Sequence, residues 1–143
     1  MKTTSKLFSA GALALLFAGL TSMSLSNQDG KKGKPWAAPD DAKAMKSPVK
    51  SDAASLEKGK ALFEKHCKSC HGVKGLGDGP KAKELETACG DFTAKAFQVQ
   101  TDGEIFYKTK AGRDDMPAFS KKITHDNDIW AVVNYLRTLK RHK

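Results

Sequence analysis

Two thiols and an imidazole stand within five residues at Cys67-Lys68-Ser69-Cys70-His71. The chemistry open to that spacing is covalent capture of a porphyrin. The thiols add to two vinyl groups, and the histidine directly after the second thiol is held beneath the iron as an axial ligand. Thioether bonds need sulfur and the iron needs a ring nitrogen at a fixed offset, so no other residue types serve. A thioredoxin-like CxxC pair would follow a strand and open a helix. This one follows a helix-like segment, and no βαβ pattern is visible. A zinc site would want a fourth ligand at a recognisable spacing, and neither a second CxxC nor an HxxxH is present. The motif reads as the anchor of one covalent haem c through Cys67 and Cys70, with His71 as a metal ligand.

The opposite face of the iron takes a thioether, a second imidazole or nothing. Met116 is the candidate, in Gly112-Arg113-Asp114-Asp115-Met116-Pro117-Ala118-Phe119, with Pro117 stiffening the backbone beside it. The flanking charges make this loop a poor core segment, and thioether ligation is a common haem arrangement. The competing donors are His66, His125, His142 and Met45. His66 precedes the first anchor thiol on a helix and is expected to point away from the iron. His125 reads as a surface or capping residue, His142 lies in the tail and Met45 in the arm.

Helical signals dominate the segment that must position these groups. Ser55 is expected to cap a first helix running toward His66, with Leu56, Leu62 and Phe63 on one side. Thr101-Asp102-Gly103-Glu104 is a capping-box pattern that opens a second helix, which Gly112 can end. Ile129, Trp130, Val133, Leu136 and Leu139 recur at helical spacing in a last helix capped by Asp126 or Thr124. The glycine-rich run from Gly72 to Pro80 directly follows the anchor and is expected to wrap the porphyrin. No sustained strand alternation occurs, and a porphyrin would supply the apolar plate that so short a chain needs for its core.

Ahead of this domain (54–143) lie two other segments. Residues 1–26 read as an export signal: Lys2 and Lys6, an apolar run from Leu7 to Leu20, then small residues at Ser22, Ser24 and Ser26. As a helix that run would span roughly 21 Å, short of the ~30 Å hydrocarbon core, so cleavage is favoured over a retained anchor. Residues 27–53 read as an arm or linker rich in proline and lysine, with few apolar residues to bury. Trp36 and Met45 either pin the arm to the domain or are incidental. Export agrees with the thiol motif, because haem is attached outside the cytoplasmic membrane in bacteria.

The chain carries 25 Lys+Arg against 16 Asp+Glu, a net charge of +9. Without Lys2 and Lys6 the balance is 23 against 16, or +7. This points to acidic redox partner proteins. Nucleic acid is disfavoured by export and by the lack of any basic-aromatic motif. Lys65, Lys68 and Lys74 surround the anchor with no acid between them. No acid–base constellation or pocket for a small-molecule substrate is legible, so the chain reads as an electron carrier. Cys89 is an unpaired third thiol, read as a small buried residue or as a site of intermolecular or redox chemistry.

Gly59 and Phe63, the CxxCH motif, Gly77-Asp78-Gly79-Pro80, Asp91-Phe92-Thr93, Met116-Pro117-Ala118-Phe119, and Trp130 with Tyr135-Leu136 together resemble the monohaem bacterial cytochromes c of the class I fold. The resemblance covers most of the chain after the arm. It implies an all-α, small cytochrome c fold, with helices wrapped around one covalently bound haem. It implies that the first and last helices cross, with Gly59 allowing close approach near Tyr135. It also implies that the Pro80 carbonyl accepts a hydrogen bond from the free ring N–H of His71, fixing the imidazole. The expected work is periplasmic one-electron transfer with His71 and Met116 retained in both oxidation states. Two alternatives remain: a subunit of a larger membrane respiratory complex, and a catalytic or ligand-sensing protein in which Met116 leaves the iron.

Overall fold

The computed structural model describes residues 36–141. The expected export signal, the first part of the arm and His142 lie outside the described residues. Among the described residues the regular structure is helical, apart from one isolated bridge between Arg113 and Met116. The helices are α1 (Asp40–Ala44), α2 (Ala53–His66), α3 (Lys68–His71), α4 (Lys95–Gln98), α5 (Asp102–Ala111) and α6 (Asp126–Thr138). Short 3₁₀ turns occupy Ala82–Glu84 and Phe119–Lys121. No helix among them is long and apolar enough to cross a membrane.

Helix α6 is the spine. Its stripe of Ile129, Trp130, Val133 and Leu136 is buried, and Ala131, Val132 and Asn134 widen it on both sides. Neither Thr124 nor Asp126 caps it. His125 holds the cap position without a side-chain bond, and Asp126 is the first helical residue. There the Asp126 carboxylate faces the positive pole of the helix dipole and pairs with Lys110 at 2.8 Å.

Helix α2 lies against α6, and Gly59 sets their spacing. A methyl group there would sit 2.0 Å from the Ala131 carbonyl oxygen and 3.0 Å from Tyr135 Cβ. Only a residue without Cβ lets the backbones meet so closely. Phe63, one turn on, is fully buried with its ring 5.3 Å from that of Tyr135. The start of α2 differs from expectation by three residues. Asp52 is the cap, accepting from the Ser55 N–H at 2.9 Å, and Ser55 returns the bond as the third helical residue. A reciprocal box uses both residues, so Ser55 alone is an ambiguous start signal.

Helix α5 opens on Thr101 and Glu104 as the capping box requires, at 3.1 and 2.7 Å, and closes at Gly112. Phe106 stacks on Trp130 with ring centroids 4.2 Å apart, joining α5 to α6. Arg137 stitches α6 to the α4–α5 connection. Its guanidinium donates to the Asp102 carboxylate and to the carbonyls of Gln98 and Gln100 at 2.5–3.0 Å.

The described part of the arm lies along the domain. Ala38 and Ala42 are buried. Helix α1 rests on α5 at Gly103, where an added methyl would fall 1.9 Å from the Ala42 carbonyl oxygen. Further on, buried Asn134 donates its amide to the carbonyls of Val49 and Lys50 at 3.3 and 3.2 Å, and to Ser55 Oγ. Asn134→Ala is expected to cost about 1–3 kcal/mol by removing the buried amide that ties α6 to these acceptors, although the Val49 and Lys50 carbonyls keep the Ser47 and Ser55 hydroxyls as donors. Thermal unfolding measures this, and an unchanged midpoint would show that the Asn134 bonds add nothing to stability.

Candidate haem site

The short helix α3 carries the anchor. Cys67 ends α2 and begins α3, so the two thiols and His71 are presented by one tight turn. Behind that turn the glycine run folds back onto it. The N–H groups of Gly77, Gly79 and Lys81 donate to the carbonyls of His71, Cys70 and Ser69 at 2.9–3.1 Å. This run therefore buttresses the anchor from outside rather than wrapping the space in front of it. Its Val73 side chain is 73% exposed.

The space in front is a cavity of about 410 Å³. Cys67, Cys70 and His71 line one side, with Met116 and Pro117 also on its wall. Phe92, Phe119, Val132 and Leu136 supply apolar surface, and residues 87–90 complete the rim. Met116 sits in a turn that follows α5 directly. Arg113 and Met116 exchange both backbone hydrogen bonds, at 2.8 and 2.9 Å. Asp115 ties this turn to the rim by accepting the Thr87 N–H at 2.9 Å.

His71 is held with its ring stacked on Phe92, centroids 4.2 Å apart. Its Nδ1 is buried without a hydrogen-bond partner. The bond expected from this nitrogen to the Pro80 carbonyl is not made here, and Pro80 lines a separate outer groove. Burial pushes the His71 ring below the usual histidine range, against an opposing influence of the Gly90 backbone. The ring therefore stays neutral near pH 7 with a lone pair free to bind a metal. Burial and the nearby Cys70 push the Cys67 thiol up to about 12.

Two residues sit differently from expectation, and for a third, Trp36, the structure decides between the two readings left open. His66 lines the cavity, edge-on to Phe119 at 6.2 Å, instead of pointing away from it. Cys89 is only half-buried and lines the same cavity as Cys70, so it is not a core residue. Trp36, from the arm, also lines the cavity. The sequence signal for Trp36 was a lone aromatic in a polar segment, which does not say where it docks.

The lining suits a haem. The plate is apolar, and two thiols stand where they could anchor its edge. An orphaned imidazole nitrogen marks a ring awaiting a fixed partner. Among the described residues no group of three or more His, Cys, Asp or Glu could hold a bare metal ion. His71 and Met116 instead bring an imidazole and a thioether to the same cavity, donors of the kind that haem iron takes.

Known cytochromes c resemble this chain in sequence and fold. The family model for cytochrome c matches residues 56–140. The chain is 29% identical over 110 residues to the Cbb3-type cytochrome c oxidase subunit CcoP of Helicobacter pylori (strain 52), covering 70% of this chain and 36% of that protein. In a solved structure, the Kuenenia stuttgartiensis reducing HAO-like protein complex Kustc0457/Kustc0458, a chain superimposes with a TM-score of 0.60 at 28% identity. That match covers 66% of this chain and 47% of the other. The KustC0563 c-type cytochrome superimposes over 98% of its length and 58% of this chain, with a TM-score of 0.51 at 28% identity. The chain thus spans about a third of the oxidase subunit and about half of the complex's chain. With its helical frame, its CxxCH turn and the family match running from the first turn of α2 past the end of α6, this chain belongs to the cytochrome c family, whose members transfer electrons through haem.

Proposed function

We propose that this chain is a periplasmic one-electron carrier holding a single haem c through Cys67 and Cys70, with His71 and Met116 as axial ligands. The observation that carries the reading is the shared cavity: Met116, far downstream in sequence, lines the same space as both thiols and His71. Haem supplies the ferric–ferrous couple when bound. His71 and Met116 would both bind the iron through the protein's own side chains, which would keep small ligands off and limit rearrangement between oxidation states. Phe92 and the neighbouring apolar wall exclude water, and a thioether opposite an imidazole favours the reduced state. In the loaded protein we assign the orphaned His71 Nδ1 as donor to the Pro80 carbonyl, which would fix the ring and its basicity.

We assign residues 1–26 to export, 27–53 to the arm and 54–143 to the haem domain.

Intact mass and a ferric visible spectrum test the assignment together. One haem per chain that survives acid extraction, with a thioether-to-iron charge-transfer band and only slow carbon monoxide binding when reduced, is the expected result. A non-covalent haem, or an open iron, would defeat it.

A second reading is supported by the relatives, a subunit of an oxidase and a chain of a multi-protein complex. In this reading the chain is the cytochrome component of a larger respiratory assembly and co-purifies with it from membranes. Recovery from the periplasmic supernatant as a monomer would favour the free carrier.

Partner docking is assigned to the outer groove behind the anchor. Lys65, Lys68 and Lys74 border it around Val73 and Leu76, with Glu64 and Asp78 also in its wall. Changing all three lysines to glutamine is expected to slow electron transfer with an acidic partner about tenfold or more at low salt, and to flatten its salt dependence. Stopped-flow rates across ionic strength measure this. Equal rates and slopes in the two proteins would remove the groove from consideration.

A further inference from the structure

The arm contributes a residue to the cavity wall, and that residue rests on the turn that carries Met116. Trp36 lines the cavity beside Arg113, Met116 and Pro117. The Arg113 guanidinium lies over the Trp36 ring, 4.8 Å from its centroid. Arg113 is also the residue whose backbone closes the turn on Met116 through two hydrogen bonds. The chain therefore runs without a break in contact from an arm aromatic, through an arginine, to the backbone of the methionine.

The arm is fixed firmly enough to act through that contact. Trp36 lies four residues before α1, which has buried Ala42 against Gly103 of α5 at a spacing no side chain would permit. Ala38 between them is 3% exposed. The distal end of the arm is held by Asn134. An arginine over the face of a tryptophan is the strongest common cation–π pairing, and it strengthens when partly withdrawn from water. Trp36 is half-buried and Arg113 is largely covered, with 28% of its side chain exposed.

We propose that Trp36 is a positioning residue of the iron site: the docked arm presses its indole on Arg113 and holds the Arg113–Met116 turn closed, keeping the Met116 side chain on the cavity wall. The proposal rests on the reading of Met116 as axial ligand. It gives the segment before the haem domain a role in that site, beyond that of a linker.

The test uses the full haem-loaded protein and the variants Trp36→Ala and Trp36→Phe. Three quantities are read: amide hydrogen exchange at Met116, the rate of carbon monoxide binding to the reduced protein, and the temperature at which the thioether band is lost relative to loss of helical circular dichroism. Trp36→Ala is expected to speed both exchange and carbon monoxide binding by about tenfold, the scale of a partly desolvated cation–π contact. It should lose the thioether band well below the temperature at which the helices melt, whereas in the wild type the two losses lie closer together. Trp36→Phe keeps an aromatic face and should recover most of the difference. If Trp36→Ala does not fold, Arg113→Gln is read by the same three measurements with the same expectation.

An unchanged carbon monoxide rate in a variant whose wild-type parent shows the thioether band overturns this proposal alone, even if exchange at Met116 quickens. Absence of the band from the wild type overturns the Met116 assignment and this proposal with it.

Discussion

Met116→Ala is expected to turn a closed iron site into an open one. The ferric protein should lose its thioether charge-transfer band, the reduced protein should bind carbon monoxide readily, and the reduction potential should fall by on the order of 100 mV. The fold should survive. Met116 is half-buried on the cavity wall, and the bonds that close its turn run through the backbone, which alanine keeps. The stability cost is expected at about 2 kcal/mol, the low end for shortening a buried side chain. Visible spectroscopy and potentiometric titration check both points. Persistence of the wild-type spectrum would remove Met116 from the site. His66 is the other cavity-wall imidazole, so a spectrum typical of two imidazoles in the variant would identify it as the substitute donor.

Gly59→Val is expected to have the largest effect on folding. The first atom of any side chain there falls 2.0 Å from the Ala131 carbonyl oxygen, well inside contact distance. The obstacle is backbone, so no side chain can swing aside to relieve it, and α2 must move off α6. That opens the seam where Phe63, Ile129, Val132 and Val133 are packed with almost no exposure. A cost of about 3 kcal/mol or more follows from overpacking at a helix contact. In a domain of this size that corresponds to a drop in melting temperature of about 15 °C. The same seam ends at Cys67, so poorer haem loading should accompany the loss. A melting point within a few degrees of the wild type would mean that the helices can separate without cost.

What the sequence made legible divides along the range of the interactions. The Thr101–Glu104 box and the stripe of α6 are written in residues three and four apart, and the structure shows both where the pattern puts them. The Gly59 approach to Ala131 and Tyr135 was expected from resemblance to a family, not from the residues alone. Helix α1 was missed. Its five residues include no stripe and no side-chain cap, and it exists because α5 offers Gly103 as a seat sixty residues downstream. The glycine run was read as facing the porphyrin because glycine permits close approach to any flat object. The object it approaches is the carbonyl row of its own anchor turn. At the site, the residue types in CxxCH announce their chemistry without a fold. The cavity-wall positions of His66, Cys89 and Trp36 depend on how separate segments converge, which no local pattern encodes.

Trp36, the first described residue, lies on the wall of the cavity. A tether fastened at that residue would pull from the cavity side. Fastened to a membrane or a larger protein, the domain would hang with that face turned toward its mooring and could not tumble freely away from it. Its choice of partners would then be governed by leash length and local concentration, and less by diffusion through the surrounding space.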